Sequence, residues 1–171
     1  MSAAAALGTG DRAPEFETRA TLGGKEFSYR LSAALKAGPV VLYFYPAAFT
    51  KGCTREAHDF AEAMDQYKAL GASVIGVSSD KIETLDRFSV SECRSKFPVA
   101  SDSDGRIMQA YDVVLLKITG YANRTSYVIA PDGRIIYRYT DMNPDKHVAN
   151  TLDALRQWAA DKKNLTQRRP S

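Results

Sequence analysis

Cys53 stands three residues after Thr50 and seven after Pro46, in the run Pro46-Ala-Ala-Phe-Thr50-Lys-Gly-Cys53-Thr-Arg-Glu56. A cysteine reacts as its thiolate, and the reactive form is favoured where a helix begins, because unpaired N–H groups and the helix dipole meet there. Nucleophilicity falls along with pKa, so fast chemistry also needs donors aimed at the charge that develops in the transition state. The Thr50 hydroxyl is placed to reach an oxygen held over the sulfur. Pro46 has no N–H and can shield a thiolate without competing for it. Glu56 lies about 300° around a helix from Cys53, close to the same face. Phe49, in the same loop, reads as part of an apolar collar around the reacting atoms.

The second cysteine, Cys93, follows 40 residues later, and the two histidines are His58 and His147. A Cys–His hydrolase would need a base beside the sulfur. His58 is five residues on, pointing about 140° away on one helix, and nothing in the sequence pairs His147 with Cys53. A thioredoxin-type disulfide oxidoreductase needs two cysteines two residues apart, and Lys51-Gly52-Cys53-Thr54 has one. Two cysteines are too few for a thiolate zinc site or a disulfide scaffold. The remaining readings are a redox thiol, an inert buried thiol, and a binding module in which Cys53 is incidental.

The elements that position Cys53 are legible on both sides of it. Val40-Val-Leu-Tyr-Phe-Tyr45 is apolar without alternation, as in a central strand buried on both faces. Thr54 to Leu70 carries Ala57, Phe60, Ala61, Met64 and Tyr67 at helical spacing and ends at Gly71. Cys53 thus falls where a strand ends and a helix begins, the ligand-binding edge of open α/β sheets. Ser73–Val77 reads as a second buried strand. A helix then opens at Ser79-Asp80 and runs to Cys93 or Arg94. Phe97–Ala100 is a short extended segment, Asp104–Tyr111 a helical turn or two, and Val113–Gly120 a loop.

At the ends, Phe16–Ala20 and Lys25–Tyr29 form a hairpin around a glycine turn, followed by a short helix over Ser32–Ala37. Ser126–Ala130 and Arg134–Tyr139 flank the turn Pro131-Asp-Gly133, and Asp145–Ala160 is a final amphipathic helix. This order predicts an α/β chain of thioredoxin-like type: a mixed central sheet flanked by helices, with an N-terminal β-hairpin.

With 171 residues, 44% hydrophobic and 25% charged, the chain reads as one domain, 1–171, with its core over about 8–160. These values exclude a disordered, collagen-like or membrane-spanning chain. The net charge of +3 is carried wholly by residues 161–171, which read as a solvated, frayed basic tail. A neutral body is a poor nucleic-acid surface. The aromatic residues on strands read as core rather than stacking platforms, and Asp102–Asp104 and Asp132 as turn chemistry rather than metal sites. Met1 to Leu7 has no basic stretch and no apolar core long enough for a secretion signal, which points to the cytoplasm. A trimmed signal would place the chain in the periplasm.

Pro46, Thr50 and Cys53 after a buried strand resemble the P-x-x-x-T-x-x-C motif of the peroxiredoxins. Ala72–Asp80 resembles the strand that follows it. Asn123–Gly133 resembles the strand carrying that family's essential arginine, which falls on Arg124. The resemblance covers roughly residues 8–160, and Gly-Cys-Thr-x-Glu-Ala is similar to the bacterioferritin comigratory protein (peroxiredoxin Q) subfamily. It implies a thiol peroxidase acting in antioxidant defence on hydrogen peroxide and organic hydroperoxides. Cys53 is then peroxidatic, Thr50 and Arg124 hold the peroxide, Pro46 shields the sulfur, and Glu56 partners Arg124 or Arg55. Many relatives place a resolving cysteine where this chain has His58, so Cys93 takes that role, as in some peroxiredoxin Q proteins. An intrachain disulfide would follow, reduced by a thioredoxin- or glutaredoxin-like partner. If Cys93 is a spare thiol, the enzyme is a one-cysteine peroxidase resolved by an external thiol. The resemblance implies a monomer and no metal or organic cofactor.

Overall fold

The computed structural model describes residues 7–168. Its seven strands form one mixed sheet in the order β2-β1-β5-β4-β3-β6-β7. The hairpin β1 (Glu17–Leu22) and β2 (Lys25–Arg30) turns at Gly23-Gly24, both in the left-handed region that glycine alone adopts freely. It leads into a short helix, α1 (Leu31–Leu35). The central strands β3 (Val40–Phe44) and β4 (Ser73–Ser78) pair in parallel, as their unbroken apolar runs require for strands covered on both faces.

Two helices connect the parallel strands: α2 (Lys51–Ala69) between β3 and β4, and α3 (Ile82–Ser91) between β4 and β5 (Val99–Ser101). The extended segment expected near Phe97 is thus a third parallel strand, and the N-terminal hairpin joins its outer edge through β1. A five-residue helix, α4 (Arg106–Ala110), precedes the hairpin β6 (Thr125–Ile129) and β7 (Ile135–Thr140), whose first strand pairs antiparallel with β3. Helix α5 (His147–Arg168) closes the described chain. One apolar cluster lies on each face of the sheet.

Three expectations change. The helix predicted to reach Cys93 stops at Ser91, and Cys93 lies beyond its Glu92 cap. Arg94 and Ser95 then take left-handed φ of 53° and 55°, which ends the helix without glycine or proline. The loop over Val113–Gly120 holds a 3-10 turn, Leu115–Lys117, and a bridge from Val114 to Ala122. The basic stretch expected to fray is helical through Arg168. The Lys162 ammonium sits 4.7 Å over the Trp158 ring, and cations suit the end of a helix. Arg169–Ser171 lie outside the described residues. Among the described residues no helix is long and apolar enough to cross a membrane.

Candidate active site

Strand β3 is wholly buried and delivers the chain to Pro46, where the sheet ends; Tyr45 still donates its N–H to the Val77 carbonyl at 3.1 Å. The loop that follows is tied to the next strand. The Asp80 carboxylate accepts from the Ala48 N–H and from the Ser78 hydroxyl, each at 2.7 Å, while the Asp80 carbonyl accepts from Ser101 at 2.6 Å. Asp80 therefore anchors the loop rather than opening α3, whose N-cap is Lys81. Phe49 takes a left-handed φ of 65° and lies 47% exposed, its ring edge-on to Phe88 with centroids 5.3 Å apart.

Thr50 caps α2 with extended backbone, and Cys53 follows in the first turn, 1% exposed. The Thr50 hydroxyl donates to the Ala47 carbonyl at 2.8 Å and lies on the exposed side of the helix start. Pro46 is half-buried between the end of β3 and this loop.

Arg124, the residue just before β6, is 4% exposed and divides its guanidinium among three acceptors. Nη2 donates to Cys53 Sγ at 3.4 Å, Nη1 to Glu56 Oε1 at 2.6 Å, and Nε to the Met142 carbonyl at 2.8 Å. The planar fork reaches the three acceptors from three separate nitrogens, whereas an ammonium presents all its donors from a single atom. Burial opposes the charge of Arg124, but Glu56 and Cys53 outweigh it and hold the group more firmly protonated. Of the two partners expected for Glu56, the structure brings Arg124; Arg55 pairs with Asp145 at 3.0 Å. Burial pushes the Glu56 carboxyl up to about 8, with Arg124 pulling it back.

Two further residues shape this cluster. Gly52 gives Arg124 its path to the sulfur: a Cβ on Gly52 would stand 2.9 Å from Nη2. His147 is fully buried at the start of α5 and reaches to 3.7 Å from Glu56 Oε2. Glycine before a cysteine is a readable signal for close approach, whereas nothing local connects His147 to Glu56.

Cys53 and Cys93 are both free, both buried, and belong to the same apolar cluster with Tyr43, Tyr45, Phe60, Phe88 and Phe97. Burial, and next the Glu92 carboxylate, push the Cys93 thiol far up, so it rests as a neutral thiol. The segment bearing it is tied to α2 by two contacts: Glu92 Oε2 to His58 Nε2 at 2.6 Å and Arg94 Nη1 to Glu62 Oε1 at 3.6 Å. His58 thus faces the Cys93 segment and not Cys53.

The AhpC/TSA family model matches residues 9–138, the span from the N-terminal hairpin through the cysteine helix and Arg124 to β7. The chain belongs to that family. It is 34% identical over 151 residues to a Mycobacterium tuberculosis protein named as a peroxiredoxin, covering 86% of this chain and 96% of the relative. Against peroxiredoxin Bcp of Escherichia coli it is 34% identical over 125 residues, 70% of this chain and 80% of that one. The crystal structure of peroxidoxin BcpB from Mycobacterium tuberculosis superposes with a TM-score of 0.80 at 32% identity, over 88% of this chain and 97% of that one. The sheet and its flanking helices are the thioredoxin-like fold of the peroxiredoxins. The chain is a thiol peroxidase, an antioxidant oxidoreductase that takes a peroxide as oxidant and a thiol as reductant.

Proposed function

We propose that this peroxiredoxin reduces peroxides through Cys53 and resolves the product through Cys93. The observation that carries the reading is the Arg124 contact with the Cys53 sulfur at 3.4 Å, made at a helix start and braced by a buried carboxylate. A lone pair on the Cys53 thiolate attacks the terminal peroxide oxygen, the O–O bond breaks, and the departing alkoxide or hydroxide takes a proton from water. Arg124 polarises the peroxide oxygens with a charge that does not titrate. Thr50 supplies a hydroxyl donor once substrate displaces its bond to Ala47, and Pro46 and Phe49 limit water at the sulfur.

Cys53 leaves this step as a sulfenic acid. The Cys93 sulfur attacks it, an S–S bond forms, and water departs with the Cys93 proton. A dithiol of thioredoxin or glutaredoxin type then returns two electrons. All the residues in this scheme lie within residues 8–160, so the reading needs one domain and no residue from a second chain.

Disulfide geometry requires Cα atoms within roughly 7 Å and aligned Cβ vectors. Both sulfurs are sealed in one core, so the first turn of α2 and the stretch 91–96 unwind to bring them together. The left-handed pair Arg94-Ser95 stores strain that unwinding releases. Peroxide-dependent oxidation of reduced thioredoxin tests the scheme: the native chain turns over, and Cys53→Ser abolishes turnover with the fold intact. Retention of more than a few per cent of activity by Cys53→Ser rules out this nucleophile.

A further inference from the structure

Among the buried titratable groups that the mechanism above leaves unused, the imidazole of His147 stands next to the site. The His147 ring lies beside Glu56, and both its nitrogens are engaged. Nε2 is 2.7 Å from the Asp141 carbonyl, so it carries hydrogen and donates. Nδ1 is 2.8 Å from the Ser126 hydroxyl and 3.7 Å from Glu56 Oε2. That oxygen is buried and has no hydrogen-bond partner, while its twin Oε1 accepts from Arg124. An unpaired buried carboxylate oxygen is costly unless charge or a proton answers it, and His147 is the titratable group turned toward it.

We propose that His147 is a positioning residue of the peroxidase centre, acting through Glu56 and the 141–142 turn to hold the Arg124 guanidinium on the Cys53 sulfur. The inference rests on the reading of Cys53 as nucleophile given above. Two routes lead from the ring to Arg124. On the Nδ1 side, the His147 ring stands 3.7 Å from the free edge of the Glu56 carboxyl and limits its movement, while the other edge grips Nη1. On the Nε2 side, His147 holds the Asp141 carbonyl; Asp141 donates its N–H to the Arg124 carbonyl at 3.1 Å, and the adjacent Met142 carbonyl accepts from Nε. Each route fixes a different nitrogen of the fork, leaving Nη2 aimed at the sulfur. Burial pushes Glu56 up and pulls His147 down, so this pocket disfavours the charged form of both groups.

A merely structural histidine would pin the start of α5 and nothing more. The two roles separate in a double-mutant cycle measured on kcat/KM for peroxide. His147→Gln keeps a donor near the Nε2 position for Asp141 but removes the group facing Glu56. Its expected effect is a loss of about tenfold in the native background and less than about twofold in a Glu56→Gln background, because both substitutions release the same fork. His147→Asn puts its amide near the Nδ1 position and should recover activity to within about threefold of native. Equal fold-losses in the two backgrounds, or no loss in the native one, overturn the proposal. Turnover by Cys53→Ser would instead overturn the nucleophile and leave the cycle's result unexplained by Arg124. If His147→Gln does not fold, the cycle is run with His147→Ala in both backgrounds, since alanine removes both ring contacts. A loss of about tenfold confined to the native background supports the role, and equal losses, or none, refute it.

Discussion

Replacing Gly52 with alanine separates activity from stability at this site. An ideal Cβ at Gly52 falls 2.9 Å from Arg124 Nη2 and 3.7 Å from its Cζ, where ordinary contact begins at 3.4 Å. The guanidinium must therefore retreat by about 0.5 Å, the difference between 3.4 and 2.9. It cannot swing away as a whole, because Nε is tied to Met142 and Nη1 to Glu56. The displacement falls on Nη2, whose bond to the sulfur is already long at 3.4 Å. A hydrogen bond to a charged group is worth about 1.5–3 kcal/mol, so losing even its weaker form lowers kcat/KM for peroxide by about tenfold. The backbone of Gly52 is not in the left-handed region, so alanine fits it. Alanine also favours the helix by up to about 1 kcal/mol, worth about 2–4 °C in Tm for a chain of this size, which offsets only part of the lost bond and leaves a small net fall in Tm. Stopped-flow oxidation of the reduced variant, with a thermal melt on the same sample, reads both quantities. Unchanged kcat/KM with an unchanged Tm refutes the reasoning.

Arg124→Lys keeps the charge and loses the fork, and kcat/KM for peroxide should fall by at least about tenfold; an unchanged value removes Arg124 from the site. The raised Glu56 carboxyl makes stability depend on pH: the folded chain retains a proton that the unfolded chain releases above about 4.3. The stabilisation is complete below that value and lost as pH rises through about 8. Urea midpoints followed across that window should decline for the native chain and flatten for Glu56→Gln; a flat native curve contradicts the assignment. Amide hydrogen exchange should show residues 50–56 and 91–96 less protected in the oxidised than in the reduced protein, and equal protection sinks the unwinding step.

The reactive loop is legible in the sequence because its determinants are local. An apolar strand without alternation, a proline that stops it, and a helical period starting beyond Gly52 place Cys53 before any contact is known. Pairing Glu56 with Arg124 was half legible, since the helix face is readable but the choice between Arg124 and Arg55 depends on where β6 lies. His147 was not legible, because its role depends on the start of α5 docking against α2 and β6. The end of α3 escaped for a different reason. Non-glycine residues at Arg94 and Ser95 carry the left-handed turn, so the usual stop signal is missing and the apolar pattern runs on to Cys93. Three residues of β5 are too few to show a period, and its identity as a strand comes from pairing with β4 and β1.

The central claim is that peroxide oxidises Cys53 and that Cys93 captures the product. Intact mass under non-reducing conditions, after one equivalent of hydrogen peroxide, tests it most directly. The native chain should lose two hydrogens, and Cys93→Ser should instead gain one oxygen that a dithiol removes. A native chain that gains an oxygen and forms no disulfide contradicts the resolving role of Cys93, and a Cys53→Ser chain that is oxidised as fast as the native one contradicts the account as a whole.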